Sequence, residues 1–329
     1  MIDRKDESSS LGSIASAVHE EPSLAESTRI WRQLAPLFRA EKATVSPRSS
    51  RDEATPKLQH AAWASPDTPR LLEMLVHLPP DFADQRISLV TAIRQSICEH
   101  DPTADHGKLD RVLWAMGLVP RELFVHPDVP EFAYLPTSLD IGHDQTISNP
   151  HVVATMTLAA DLPRNANVLD VGTGSGYQAA ILSLIAETVT TIEIIPNLAE
   201  DARNRLGARG YSNVDVRGGD GFSGAADRAP FDAIIVAAAA ACIPNPLLEQ
   251  LAPQGRLIMP LGSSPECDQL TVDSRSPSGE TVIRSLGAVR FVPLTGKGQR
   301  EAPGLTMANE HVCSHSPRSR TRERSGDGC

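Results

Sequence analysis

The chain has 329 residues, a formal net charge of −10 and 40% hydrophobic residues, enough for one sizeable α/β domain with appendages. This acidic excess argues against a protein that binds nucleic acid or an anionic membrane, because both need a concentrated basic face. The five cysteines form no C-x-x-C pair, which predicts reduced thiols and no cysteine-based metal site. No apolar leader or membrane-spanning stretch is visible, so we expect a soluble, cytoplasmic protein.

The two ends of the chain differ in composition from its middle. Residues 1–84 are punctuated by Ser, Pro and Ala, which predicts a mostly disordered N-terminal extension with short helices around 30–38 and 71–78. The alternative is a helix that docks on the body or on a partner. Residues 301–329 lack apolar periodicity and predict a disordered tail, which leaves 85–300 as the folded domain.

Helical and then alternating patterns fill this domain in chain order. Helical spacing from 87 to about 111 stops near Gly117, and Leu113, Trp114 and Leu118 are its core candidates. From Asn167, short apolar runs alternate with helical stretches, which is typical of parallel strands covered by helices on both faces. We predict strands at 167–171, 189–195, 214–217, 231–237 and 256–261, and helices at 177–186, 197–210 and 245–252.

The last third of the domain is rich in strands without helices. Apolar runs at 269–272, 281–286 and 288–294 indicate an antiparallel addition at the edge of the sheet. The predicted fold class is therefore α/β, with a doubly wound, mostly parallel sheet and antiparallel C-terminal strands.

A glycine-rich turn follows the first predicted strand. Gly172, Gly174 and Gly176 alternate with Thr173 and Ser175 directly before a predicted helix. Glycines let the backbone turn tightly and approach a ligand, and the helix start favours negative charge. Alone, the motif is weak, because a tight strand-to-helix turn without any ligand has the same sequence.

Acidic residues end the next two strands. Glu193 ends the second strand, and Asp220 with Gly221 follows the third. Because the carboxyl ends of these strands share one crevice, Glu193 suits a ribose diol and Asp220 an adenine amine. The glycine spacing departs from the dinucleotide fingerprint, and no phosphate-loop lysine follows. The pattern therefore favours S-adenosylmethionine, with Asp170 near its cationic portion.

At this point the chain resembles a known family. The stretch VLDVGTGSGYQAA is similar to the first motif of class I S-adenosylmethionine-dependent methyltransferases, whose fold is Rossmann-like. The segments VPRELFV, IGHDQTISNPHVVATM, IPNPLLEQLAPQGRLIMPLG and VRFVPLTG resemble protein-L-isoaspartate O-methyltransferases, in the same order. This resemblance runs from about 87 to 297. It implies methyl transfer from S-adenosylmethionine to the free α-carboxylate of isoaspartyl residues in damaged proteins, which starts their repair.

The resemblance also implies roles for single residues. Ser148 matches the serine at the methyl-transfer site, and Thr146, Ile147 and His143 lie beside it as substrate-positioning candidates. The cofactor-binding candidates are Asp170, Gly172, Gly174, Ser175, Glu193, Asp220 and Gly221.

The chain departs from the family pattern at several positions. Asp144 stands where the family usually has glycine, and its carboxylate next to the serine segment could repel an anionic substrate. Ala237 replaces a common threonine, and Ala241 with Cys242 replaces a Pro-Glu pair.

Alternative interpretations remain open from the sequence. Ser148 could merely cap the helix that follows it, and His143 and His151 could make only structural or gating hydrogen bonds. The chain could also methylate a small carboxylate or hydroxyl compound, or bind the cofactor as a non-catalytic adaptor. We expect a monomer without metal, acting on isoaspartyl proteins and peptides, with no nucleic-acid or membrane partner.

Overall fold

The computed structural model describes residues 82–262, 268–275, 281–298, 306–309 and 312–314. The predicted N-terminal extension, residues 1–84, lies almost wholly outside these residues. The described elements, in chain order, are α1 (Ala83–His100), α2 (His106–Leu118), β1 (Leu139–Gly142), β2 (Gln145–Ile147), α3 (Pro150–Ala159), β3 (Asn167–Val171), α4 (Tyr177–Ser183), β4 (Thr188–Glu193), α5 (Pro196–Ala208), β5 (Val214–Gly218), β6 (Phe231–Val236), β7 (Ile243–Pro244), α6 (Asn245–Glu249), β8 (Leu251–Leu261), β9 (Asp268–Arg275), β10 (Thr281–Val289), β11 (Thr306–Asn309) and β12 (Val312–Ser314).

A seven-stranded sheet in the order β10-β9-β8-β6-β3-β4-β5 forms the centre of the fold. Strands β8, β6, β3, β4 and β5 are parallel, whereas β9 and β10 are antiparallel. The chain runs from β3 outward through β4 and β5, and then returns to β6 on the other side. The switch point between β3 and β6 is where such sheets bind ligands. The predicted fold class is confirmed.

The predicted helical region in front of the sheet consists of two helices. Asp105 caps the second, because its carboxylate accepts the backbone N–H groups of Gly107 and Lys108. The core candidates Leu113, Trp114 and Leu118 are buried, as predicted. The helix ends at Leu118 rather than at the predicted glycine stop.

Two predicted elements near the C-terminal end of the domain differ from the structure. The predicted helix 245–252 ends at Glu249, because β8 begins at Leu251 and pairs with β6. The predicted strand 288–294 is not a separate element, since β10 ends at Val289 and the chain then leaves the sheet. Val292 and Leu294 then form backbone hydrogen bonds with Ala239, just beyond the end of β6.

Pairing also occurs beyond the predicted domain boundary. Strands β11 and β12 lie within the predicted tail, and β12 pairs in parallel with β7. Cys242, directly before β7, is disulfide-bonded, so the prediction of reduced cysteines is wrong at this position. Among the residues that the structure describes, no helix is long and apolar enough to cross a membrane.

Candidate active site

A cavity opens at the carboxyl ends of β3, β4 and β6, at the switch point of the sheet. The loop after β2, the helices α3 and α4 and a segment beyond β10 complete its walls. Its lining consists of residues 145–148, Val153, Met156, 171–175, Tyr177, Gln178, 192–195, Gly221, Ala237, Ala238 and 292–295.

The glycine turn forms the floor of this cavity. Gly172, Gly174 and Gly176 have φ values of 91°, 51° and 89°, in the left-handed region where a side chain is strained. The N–H group of Gly174 donates to Oε2 of Glu193 at 2.8 Å. The turn and the acid at the end of β4 are therefore held together, as the sequence predicts.

Glu193 is the only charged side chain of the described cavity lining. It is 5% exposed, and its Oε1 also accepts the N–H group of Ile195 at 3.0 Å. These bonds fix the carboxylate while leaving lone pairs for hydroxyl donors. No lysine or arginine is among the described lining residues, which disfavours a polyphosphate ligand. The polar groups present fit an adenosyl ligand with a cationic sulfur.

Asp170 lies behind the turn and does not line the cavity. Its fully buried carboxylate accepts the Thr191 hydroxyl at 2.8 Å, and the hydroxyls of Thr191 and Thr173 are 2.6 Å apart. Its Oδ1 has no hydrogen-bond partner among the described residues. Burial raises the pKa of Asp170 to about 7. Asp170 is thus connected to the cavity through the hydroxyls of Thr191 and Thr173, of which Thr173 lines it.

Ser148 lines the cavity beside the glycine turn. It is not the cap of α3: Asn149 is, since its side chain accepts the N–H group of His151 at 2.9 Å. The capping interpretation of Ser148 is therefore wrong. His151 lies within α3 and outside the cavity lining.

The other substrate-positioning candidates separate into two groups. Thr146 and Ile147 line the cavity together with Ser148. His143 does not, because it is exposed at the tip of the β1–β2 turn, with φ 57°. The neighbouring Asp144 is also exposed, with φ 55°, a conformation that glycine adopts without strain.

Arg121 is a site residue to which the sequence analysis gave no role. Its Nη2 donates to the carbonyl of Ser148 at 2.7 Å, and its guanidinium lies 4.7 Å from the centre of the Tyr177 ring. It is completely buried, and this burial lowers its pKa. Arg121 therefore anchors the serine segment to the first turn of α4. The signal was a charged pair, Arg121 and Glu122, within an otherwise apolar segment.

Asp220 does not line the cavity, although the adjacent Gly221 does. Its Oδ1 accepts the N–H group of Phe222 at 3.0 Å, and its Oδ2 accepts that of Lys297 at 3.0 Å. The carboxylate predicted to meet an adenine amine is thus bonded to the protein's own backbone.

Comparisons with known proteins agree with this geometry. The family model described as Protein-L-isoaspartate(D-aspartate) O-methyltransferase matches residues 97–299. The chain is 50% identical over 190 residues to a protein-L-isoaspartate O-methyltransferase of Gloeobacter violaceus, covering 58% of this chain and 92% of the relative. A Myxococcus xanthus relative of the same name is 48% identical over 200 residues, covering 60% and 94%.

Solved structures support the fold. A protein-L-isoaspartate O-methyltransferase superposes with a TM-score of 0.56 and 23% identity, covering 65% of this chain and 67% of that one. A Plasmodium falciparum structure described with the same activity, in complex with S-adenosyl-L-homocysteine, gives a TM-score of 0.52 and 23% identity, covering 62% and 97%.

Proposed function

Since the chain belongs to the protein-L-isoaspartate O-methyltransferase family, we propose that it methylates the free α-carboxylate of isoaspartyl residues in damaged proteins. The methyl donor of this family is S-adenosylmethionine. One observation supports the proposal most directly: the serine segment and the acidic strand end of β4 line the same cavity, which has no described cationic side chain.

The following roles for single residues are part of this proposal. The backbone of Gly172, Gly174 and Ser175 follows the cofactor, Glu193 accepts the ribose hydroxyls, and Gly221 lies on the adenine side. Asp170 acts on the cationic portion from behind, through the hydroxyls of Thr191 and Thr173.

The substrate side of the cavity needs no general base. When bound, S-adenosylmethionine supplies an electrophilic methyl group on a sulfonium. An α-carboxylate has a pKa near ~3.5, so its oxygen is already a nucleophile at neutral pH. The hydroxyl of Ser148 donates a hydrogen bond that orients this carboxylate, the buried Ile147 excludes water beside it, and Thr146 lines the same wall. Catalysis then depends on alignment rather than on proton transfer.

The proposal is tested with a pair of peptides. The purified chain is incubated with labelled S-adenosylmethionine and either an isoaspartyl peptide or its normal aspartyl twin. We expect base-labile methylation of the isoaspartyl peptide only. Equal labelling of both would favour a promiscuous or small-molecule methyltransferase, and cofactor binding without any transfer would favour an adaptor.

The raised pKa of Asp170 predicts pH-dependent cofactor binding. A bound cation favours the ionised carboxylate, so binding below about pH 7 must release a proton from Asp170. We therefore expect affinity for S-adenosylmethionine to rise roughly tenfold between pH 6 and 8 and then level off. Calorimetry in buffers of different ionisation enthalpy measures the released proton.

Asp170→Asn should flatten this pH profile. Asp273→Asn is the matched control, because burial also raises the pKa of Asp273 to about 7, but Asp273 lies on β9 and outside the cavity lining. A profile that is unchanged in Asp170→Asn would contradict the assignment.

Asp144 is expected to reduce affinity for acidic substrates. Its exposed carboxylate is in the turn before the serine segment, where it repels an anionic peptide. Asp144→Gly should lower KM for an isoaspartyl peptide roughly two- to threefold at low salt, with a smaller effect at high salt because surface charges are screened. Steady-state kinetics at two ionic strengths measures this, and a salt-independent difference would argue against charge repulsion.

A cytoplasmic, monomeric protein without nucleic-acid or membrane partners completes the proposal. The net charge of −10 supports the absence of these two kinds of partner, since phosphate backbones and anionic lipids repel an acidic surface. The disulfide at Cys242 is unusual in the cytoplasm, so the proposed location needs a direct test. Cell fractionation and size-exclusion chromatography with light scattering test these statements.

A further inference from the structure

The segment beyond β10 lines one side of the cavity and is fixed at its middle. We define residues 291–297 as the strap. Ala239 lies beyond the end of β6. Its N–H group donates to the carbonyl of Val292 at 2.8 Å, and its carbonyl accepts the N–H group of Leu294 at 2.7 Å. Residues 292–295 of the strap line the same cavity as Ser148. The position of the strap therefore determines one wall of the candidate site.

The far end of the strap is held by Asp220. The Oδ2 atom of Asp220 accepts the N–H group of Lys297, and its Oδ1 caps the turn that begins at Gly221. Gly296 has φ 79°, and a Cβ on it would lie 2.7 Å from the Asp220 carboxylate. The carboxylate thus rests directly on the backbone of Gly296, a contact that only glycine allows.

From this geometry we infer that Asp220 is a positioning residue that clasps the strap, and so sets the wall against which the substrate binds. The inference rests on the proposed function. It also makes a different prediction from an adenine contact of Asp220. An adenine contact needs Asp220 alone. A contact that holds the strap needs both Asp220 and the backbone at Gly296, so a substitution at either residue must displace the same wall.

Two variants break the contact from opposite sides. Asp220→Ala removes the acceptor, while Gly296→Ala keeps the Asp220 side chain but displaces its carboxylate with a Cβ. Gly210→Ala is the control for backbone strain, because Gly210 has φ 74° and a Cβ on it would meet nothing within 4 Å. Gly210 follows α5 and precedes the amino end of β5, whereas Asp220 follows the carboxyl end of that strand, and Gly210 is outside the cavity lining.

Hydrogen exchange gives a readout that does not depend on catalysis. We expect the amides of Ala239 and Leu294 to exchange roughly tenfold faster in both strap variants, but not in Gly210→Ala, because both amides bond within the strap contact. We also expect KM for the isoaspartyl peptide to rise roughly tenfold in both variants. The KM of the double variant should be no higher than that of the single variant with the larger effect.

The inference is overturned if Asp220→Ala leaves these exchange rates unchanged and weakens only the binding of S-adenosylhomocysteine. It is also overturned if Gly296→Ala behaves like Gly210→Ala, or if the effects of the two changes simply add. If the unaltered chain methylates neither peptide, the proposed function fails, whereas the exchange results still decide whether Asp220 holds the strap.

Discussion

Glu193→Ala is expected to weaken binding of S-adenosylhomocysteine by at least roughly tenfold, and by up to about ten-thousandfold if two strong hydrogen bonds are lost. A charge-assisted hydrogen bond contributes about 1.5–3 kcal/mol, and the variant loses one or two of them to the ribose. It also loses the acceptor for the N–H groups of Gly174 and Ile195, which loosens the glycine turn. Isothermal calorimetry measures the dissociation constant.

A matched acid separates this effect from a general loss of charge. Glu187 precedes β4 at its amino end, is exposed and lies outside the cavity lining, so Glu187→Ala should bind the ligand normally. Thermal unfolding of both variants checks that the fold is intact. Unchanged affinity in a folded Glu193→Ala protein would remove Glu193 from the cofactor site.

Ser148→Ala is expected to lower kcat for the isoaspartyl peptide by about 100-fold, because a misplaced nucleophile loses much of the benefit of alignment. Cofactor affinity should change less than about twofold, since the hydroxyl orients the substrate in this account. The helix behind it should be intact, because its cap is Asn149. Steady-state kinetics and calorimetry on the same preparation measure the two quantities.

The control for Ser148 is Ser212→Ala, at an exposed position before β5 and outside the cavity lining. It should retain full activity. If Ser148→Ala loses cofactor affinity and turnover equally, its hydroxyl supports the fold of the cavity rather than the orientation of the substrate.

The parallel sheet and the candidate site at the carboxyl ends of its strands were predictable, because local sequence patterns indicate them. A run such as 167–171, apolar at nearly every position, is typical of a strand buried on both faces, and the glycines after it mark the turn. Glu193 was then placed by topology alone, since the carboxyl ends of neighbouring parallel strands meet at one edge. The structure brings Glu193 and the turn into hydrogen-bond contact.

Contacts between distant segments were not predictable from the sequence pattern. The run 288–294 is as apolar as a strand, but its residues bond to Ala239 and become a cavity wall instead. Asp220 has the right position for an adenine contact, and only the three-dimensional structure shows that its carboxylate is bonded to Lys297, 77 residues later. No spacing rule reports such a partner.

Buried charge was similarly hidden from the sequence pattern. Asp170 was expected at the ligand, but it lies outside the cavity lining and its carboxylate accepts the hydroxyl of Thr191, which contacts that of Thr173. Arg121 is 27 residues from the serine whose carbonyl it anchors. The contacts of both residues depend on packing rather than on spacing in the sequence.

A crystal structure of the chain with S-adenosylhomocysteine and an isoaspartyl peptide tests the central claim most directly. We expect the ribose hydroxyls on Glu193, the adenine beside Gly221, and the peptide α-carboxylate between the ligand sulfur and the hydroxyl of Ser148. An adenosyl group bound away from the ends of β3 and β4, or a peptide carboxylate held far from residues 146–148, would contradict the account.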